Sequence, residues 1–252
     1  MIDLELSQIS RTVVEDLGEV SSDHEVLVIT DAQKTNVARA ITSAARAADA
    51  TATLAIRPMS SEHSNEPPAT VAAAMDAADV VITASTHSIT HTDAVRRALE
   101  AGKRIVVLRG ITEDLMIEGG VNTDYDKLRE DTVAVRDMLD AADEIHVTSA
   151  EGMDVTFGVG DHPAFALAGF ADEKSGGGLA GLPPGEAPIA PNEGTANGRI
   201  VFDYSMDNIG PLDDPLILDF QDGFLTEIGG GKEADQLRRI VDGADDLQGL
   251  DG

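Results

Sequence analysis

From Glu25 to about Ala150, short apolar runs alternate with segments whose apolar residues recur at helical spacing. Glu25–Thr30 (EVLVIT) predicts a buried strand, and the alanine-rich stretch Asn36–Ala50 a helix. Thr51–Ile56 (TATLAI) is the next strand. Pro67-Pro68 stands where the following helix begins, because proline's fixed φ suits a first turn. Asp79–Ser85 (DVVITAS), a helix over about His91–Ala101, and Arg104–Gly110 (RIVVLRG) repeat the cycle. A longer helix, YDKLREDTVAVRDMLDAA, leads into Glu144–Ala150 (EIHVTSA). Strands that are apolar throughout and separated by helices indicate a parallel sheet covered on both faces. The fold class predicted for residues 1–150 is therefore α/β, a doubly wound parallel-sheet domain.

The texture changes after about residue 150. Glu151–Val159 (EGMDVTFGV) reads as a strand and Lys174–Glu186 as a Gly/Pro-rich loop. Arg199–Tyr204 is strand-like, and Pro215–Phe220 and Phe224–Ile228 flank Gln221-Asp222-Gly223, a hairpin signal. A final helix, Glu233–Asp246, follows Gly229-Gly230-Gly231. Residues 151–252 thus predict a smaller, strand-rich α+β domain. No internal repeat of fixed period is present.

Charge narrows the partners. Asp and Glu number 46 against 18 Lys and Arg, a formal charge of −28. Such a field repels phosphate, which argues against a nucleic-acid partner and against an anionic membrane surface. The acid runs from Asp3 to Asp251, interleaved with apolar positions, instead of filling one tail. With five lysines against thirteen arginines, the dispersed carboxylates fit a salt-rich cytoplasm whose ions screen self-repulsion. The alternative is an acidic face for a basic partner. Cysteine is absent, so disulfides, thiolate metal sites and cysteine nucleophiles are excluded. The acidic start, Met-Ile-Asp-Leu-Glu-Leu, has no signal-peptide core, and no stretch approaches the roughly 18 apolar residues that span a bilayer. A cytoplasmic protein is expected.

The turn after the first strand, Thr30-Asp31-Ala32-Gln33-Lys34-Thr35-Asn36, contains no glycine. Close backbone approach to a pyrophosphate needs glycine there, so neither a dinucleotide fingerprint nor a P-loop is present. Asp31 instead suits a helix cap. Gly158-Val159-Gly160 could open a fingerprint, but Pro163 takes the last glycine position. His87 and His91 lie four apart in THSITHT, across a strand exit and a helix start. They are either hydrogen-bonded loop imidazoles or, because ligands bind at the carboxyl edge of a parallel sheet, substrate-facing groups. Either Thr90 or Thr92 could cap the helix that follows. Glu186 sits between Pro183-Pro184-Gly185 and an Ala-Pro-Ile-Ala-Pro run, which limits its backbone freedom. A carboxylate held this way is either a metal ligand with little entropy left to lose or an ordinary loop acid. Glu193 and Asp203 are further oxygen donors, and His162 is a further nitrogen donor.

Three stretches in this order, Thr86–Met116, Glu151–Phe157 and Leu182–Asp203, resemble the aminopeptidase T-like metallopeptidases, most specifically at Pro184-Gly185-Glu186, Ala190-Pro191 and Thr90-His91-Thr92. Archaeal members described as leucyl aminopeptidases look most similar, and a dihydroxypyridine dioxygenase belongs to the same wider group. The resemblance, over roughly residues 25–245, implies an N-terminal α/β domain, a C-terminal strand-rich domain and a metal site between them. In the peptidases two metals activate a water that attacks the peptide carbonyl. Glu186 matches the first metal-binding glutamate of that pattern. The family's second Glu, Tyr, two His and Asp lie downstream of the part matching Leu237–Asp246, and no histidine here follows His162. Relative to that family, the chain is either shortened or incomplete.

The expectation is a metal-dependent aminopeptidase-like hydrolase releasing N-terminal amino acids from peptides. Its cofactor would be a divalent ion: zinc, cobalt, manganese or iron. Its partners would be a peptide or small-molecule substrate and a second copy of the chain in a homodimer. One alternative is a mononuclear iron ring-cleaving dioxygenase on the same scaffold, whose mark would be a His-His-carboxylate triad. The other is an inactive or truncated homologue serving as a ligand-binding or oligomerisation module.

Overall fold

The structure is a computed structural model that describes residues 2–171, 178–206 and 209–242. The chain forms two compact units, residues 1–135 with 165–187, and residues 136–164 with 188–252. A single cut near residue 150 is too simple, because the chain passes between units at 135/136, 164/165 and 187/188.

The first unit opens with helix α1 (Ile2–Arg11), which runs into a wider π-helical turn over Thr12–Leu17. Strand β1 (Glu25–Thr30), helix α2 (Thr35–Ala47), β2 (Thr51–Ile56), α3 (Ala69–Ala77), β3 (Val80–Ser85), α4 (Asp93–Glu100) and β4 (Arg104–Arg109) then alternate as predicted. Helices α5 (Glu113–Glu118) and α6 (Tyr125–Asp140) follow. The parallel sheet has the order β2-β1-β3-β4 and ends on a fifth strand, β7 (Leu179–Leu182). Because successive side chains point to opposite faces, each strand feeds two cores. Val26, Val28, Val80, Ile82, Val106 and Leu108 pack with Leu6, Val13, Leu17 and Ile41 on one face. Leu27, Ile29, Val81, Ile105 and Val107 pack with Val71, Met75 and Val95 on the other. The doubly wound α/β expectation holds. Every residue of β3 is buried, which is why that run reads apolar throughout.

Two strands were placed differently by sequence. Strand β5 (Glu144–Thr148) does not extend the parallel sheet; it pairs antiparallel with β6 (Asp154–Gly158) in the second unit. Its own letters explain the difference, since Glu-Ile-His-Val-Thr alternates polar and apolar where β1, β3 and β4 do not. The parallel sheet is completed by Leu179-Ala180-Gly181-Leu182, inside the stretch that reads as a Gly/Pro-rich loop. Four residues flanked by glycines and prolines leave too short an apolar run to announce a strand.

The second unit is an antiparallel sheet in the order β12-β11-β8-β6-β5, where β8 is Asn197–Phe202, β11 Leu216–Gln221 and β12 Phe224–Gly229. A small ladder, β9 (Ser205–Met206) with β10 (Gly210–Pro211), lies between β8 and β11 in sequence. The predicted hairpin is present: Asp222 (φ 50°) and Gly223 (φ 81°) both take positive φ, the two-residue turn whose twist matches paired strands. Helix α7 (Lys232–Asp242) buries Ala234 and Leu237 against Leu216, Leu218 and Phe220. The remainder of the predicted final helix, 243–246, lies outside the described residues. No helix among the described residues is long and apolar enough to cross a membrane.

Candidate functional site

In the first unit's sheet, β2 lies on one side of β1 and β3 on the other. Connections leaving in opposite directions open a crevice at the carboxyl ends of β1 and β3, the general location of ligand sites in such sheets. Asp31 directly follows β1 there and is fully buried. Its carboxylate accepts Gln33 N–H at 3.0 Å, the cap anticipated from sequence. It also accepts Thr86 N–H at 2.7 Å and the Thr86 hydroxyl at 3.2 Å, joining the end of β1 to the end of β3.

Arg57 follows β2 and is 5% exposed. Its guanidinium donates to Ser60 Oγ at 2.5 Å and to the His87 carbonyl at 3.3 Å. Burial pulls its pKa down, and the negative charge of Asp31 pulls it back up. The His87 carbonyl also accepts the Ser85 hydroxyl at 2.9 Å. The half-buried His87 ring meets His63 edge-on, with centroids 4.9 Å apart. Arg57 Nε and His87 Nδ1 are buried and have no hydrogen-bond partner among the described residues. A buried polar atom without a partner is a place where a ligand oxygen or a water can bind.

His91 is exposed, five residues before the end of the first turn of α4, and no hydrogen bond to its ring is formed among the described residues. It borders a groove of about 450 Å³ with Thr90, Asp93, Val95, Arg96 and Leu179. Of the two threonines proposed as caps, Thr92 serves: its Oγ1 accepts Val95 N–H at 3.4 Å and donates to the Ile89 carbonyl at 2.7 Å. His87 and His91 therefore share one turn but not one helix face.

The other sequence candidates separate. Glu186 lies in the first unit with its side chain exposed, and its backbone pairs with Leu167 in an isolated bridge. His162 and Glu193 come together in the second unit, Nε2 to Oε1 at 3.4 Å, both partly exposed. Asp203 is exposed in the second unit. Among the described residues, no group of three or more His, Cys, Asp or Glu could hold a metal ion. Sequence reasoning missed Arg57 and His63. The rule that singles out His87, position just past a parallel strand, applies equally to Arg57 after β2.

Comparison with known proteins gives a consistent answer. A family model described as NicX, 2,5-dihydroxypyridine 5,6-dioxygenase, matches residues 5–250. The 2,5-dihydroxypyridine 5,6-dioxygenase of Pseudomonas putida KT2440 is 32% identical over 169 residues, 66% of this chain and 46% of that protein. The chain thus matches about half the length of that relative. The solved structure of 2,5-dihydroxypyridine dioxygenase from the same organism superposes with a TM-score of 0.82 at 24% identity, covering 98% of this chain and 74% of that one. Wild-type AmpT from Thermus thermophilus superposes with a TM-score of 0.70 at 14% identity, covering 99% and 77%. At those identities the structures attest a shared fold. The family match overturns the aminopeptidase expectation, with its hydrolase and proteolysis assignments, in favour of the dioxygenase alternative. AmpT and the dihydroxypyridine dioxygenase thus both share the fold of this chain.

Proposed function

Because the chain belongs to the NicX family of 2,5-dihydroxypyridine 5,6-dioxygenases, we propose that it acts in the oxygen-dependent ring opening of a hydroxylated pyridine, 2,5-dihydroxypyridine or a close analogue. The observation that carries this reading is the family match over nearly the whole chain. The reaction so named opens the ring between C5 and C6 and adds both atoms of one O₂, so no separate reductant is consumed. Iron is the cofactor this chemistry implies, in place of the open choice of divalent ions. The described side chains do not by themselves fit an iron centre, since no three potential ligands converge.

What the chain's own residues contribute lies at the carboxyl edge of the parallel sheet. Among the described residues, the His91 imidazole beside a groove and His87 Nδ1 have no hydrogen-bond partner. A dihydroxypyridine offers two oxygen substituents and a ring nitrogen. Either histidine can exchange a proton with a ring hydroxyl, and Arg57 Nε can donate to an oxygen seated at the crevice. Glu186 in the first unit, and the His162–Glu193 pair in the second, belong to no group of three potential metal ligands among the described residues.

The test is oxygen uptake. Protein incubated anaerobically with ferrous iron, then mixed with 2,5-dihydroxypyridine and air, is expected to consume one O₂ for each substrate molecule lost. Iron-loaded protein that leaves both unchanged would remove this reading and favour an inactive homologue.

A further inference from the structure

We propose that residues 57–66 form a splint that positions the turn 86–92, and that His63 is its central positioning residue. The segment has no helix or strand and is largely exposed, so core packing does not account for its path. Its bonds to the turn do. Arg57 donates to the His87 carbonyl at 3.3 Å, Ser64 N–H to the Ser88 carbonyl at 2.8 Å, and Ser88 N–H to His63 Nδ1 at 3.0 Å. Glu66 accepts Asp93 N–H, the first amide of α4. Two separate loops are thus laced together from one end of the turn to the other.

Ser88 is the junction. It is 6% exposed, and both of its backbone groups are committed to the splint. Its hydroxyl accepts Thr90 N–H at 3.0 Å and lies 2.6 Å from Thr90 Oγ1. Hydrogen bonds therefore run from His63 through Ser88 to Thr90, the residue that directly precedes His91 in the chain. For Nδ1 of His63 to accept an amide, its proton must sit on Nε2, so the geometry selects one tautomer. Ser64 takes a positive φ of 62°, which a serine adopts at some cost unless its surroundings hold it there. The conformation delivers its N–H to Ser88.

The functional half of this inference rests on the reading of turn 86–92 as substrate-facing; the structural half does not. His63→Leu removes the acceptor at similar size, while His63→Asn keeps a carbonyl oxygen near the place of Nδ1. In the full chain, hydrogen exchange of the peptide containing Ser88 is expected to quicken about tenfold in His63→Leu, the scale of one lost hydrogen bond, and to return toward wild type in His63→Asn. Turnover of 2,5-dihydroxypyridine by iron-loaded protein is expected to follow, with kcat falling about tenfold in His63→Leu, KM changing less, and Asn restoring both. Unchanged exchange in His63→Leu would overturn the splint whatever the activity. Equal loss of turnover in the Leu and Asn variants would overturn the role assigned to the Nδ1 bond. A wild type that turns over no dihydroxypyridine but shows the exchange pattern would fail the functional reading and leave the splint in place. Should His63→Leu not fold, Glu66→Ala, at the exposed end of the splint, is expected to raise exchange at Asp93 and in the turn; no rise there would equally overturn it.

Discussion

Asp31 and Thr86, 55 residues apart, are joined by two hydrogen bonds from the backbone and side chain of Thr86 to the two oxygens of one buried carboxylate. This pair closes the sheet's switch point. Asp31→Ala would leave the Thr86 and Gln33 amides without their acceptor and deprive Arg57 of the nearby negative charge that favours its charged form. The expected cost is about 2–4 kcal/mol of unfolding free energy, against about 1 kcal/mol for Thr86→Val, which keeps the shorter amide bond. Urea denaturation of both variants checks the ordering. Equal effects would mean that the carboxylate is not the organising group.

Arg57 is a second handle on the same edge. Its fork reaches Ser60 and the His87 carbonyl at once, a geometry that a lysine ammonium does not reproduce. Arg57→Lys is therefore expected to retain charge yet lower dihydroxypyridine turnover by about tenfold or more, through misplacement of the turn carrying His87. Steady-state kinetics on iron-loaded protein decide it. Full activity in the lysine variant would show that charge alone suffices.

In the second unit, Gly198 has φ +117°, and a Cβ built there would stand 2.2 Å from the Asp154 carbonyl oxygen. No side chain fits between β8 and β6 at that point. Gly198→Ala is expected to cost about 3 kcal/mol or more, from the forced backbone shift and the unfavourable φ together. Thermal denaturation followed by circular dichroism would register it. A variant as stable as wild type would mean that the two strands pair differently.

Arg199 and Asp219 make a two-bond ion pair across β8 and β11, at 2.7 and 2.8 Å. The hydrogen bond from Arg199, more than its charge at a distance, holds the Asp219 pKa below the ordinary aspartate value. A carboxyl whose pKa is depressed by folding stabilises the fold above its unfolded pKa, and that contribution is lost as pH falls through the folded value. Asp219→Asn is thus expected to lower the melting temperature slightly at neutral pH, and by less in acid as the pH falls through the folded pKa of Asp219. A difference of equal size at neutral and acid pH would assign the effect to packing.

Strands β1, β3 and β4 were readable because each carries a nearly continuous apolar run between helical segments, and the Asp222-Gly223 turn because few residue pairs favour two positive φ values. Strand β7 was not, since pairing with β4 supplies what its four residues lack. At the site, His87 stood out by its position after a strand. His63 did not, because its role is fixed by one amide of a distant turn, and backbone partners leave no residue-type signature. The choice between hydrolase and dioxygenase could not come from the fold, which fixes no particular chemistry. The matched family over residues 5–250 makes that choice.

The most direct test of the dioxygenase reading is isotopic. Iron-loaded protein given 2,5-dihydroxypyridine under ¹⁸O₂ should yield a ring-opened product carrying both labelled atoms, and the same preparation should release no amino acid from a leucyl peptide. Unlabelled product, or leucine released without oxygen uptake, would contradict the account.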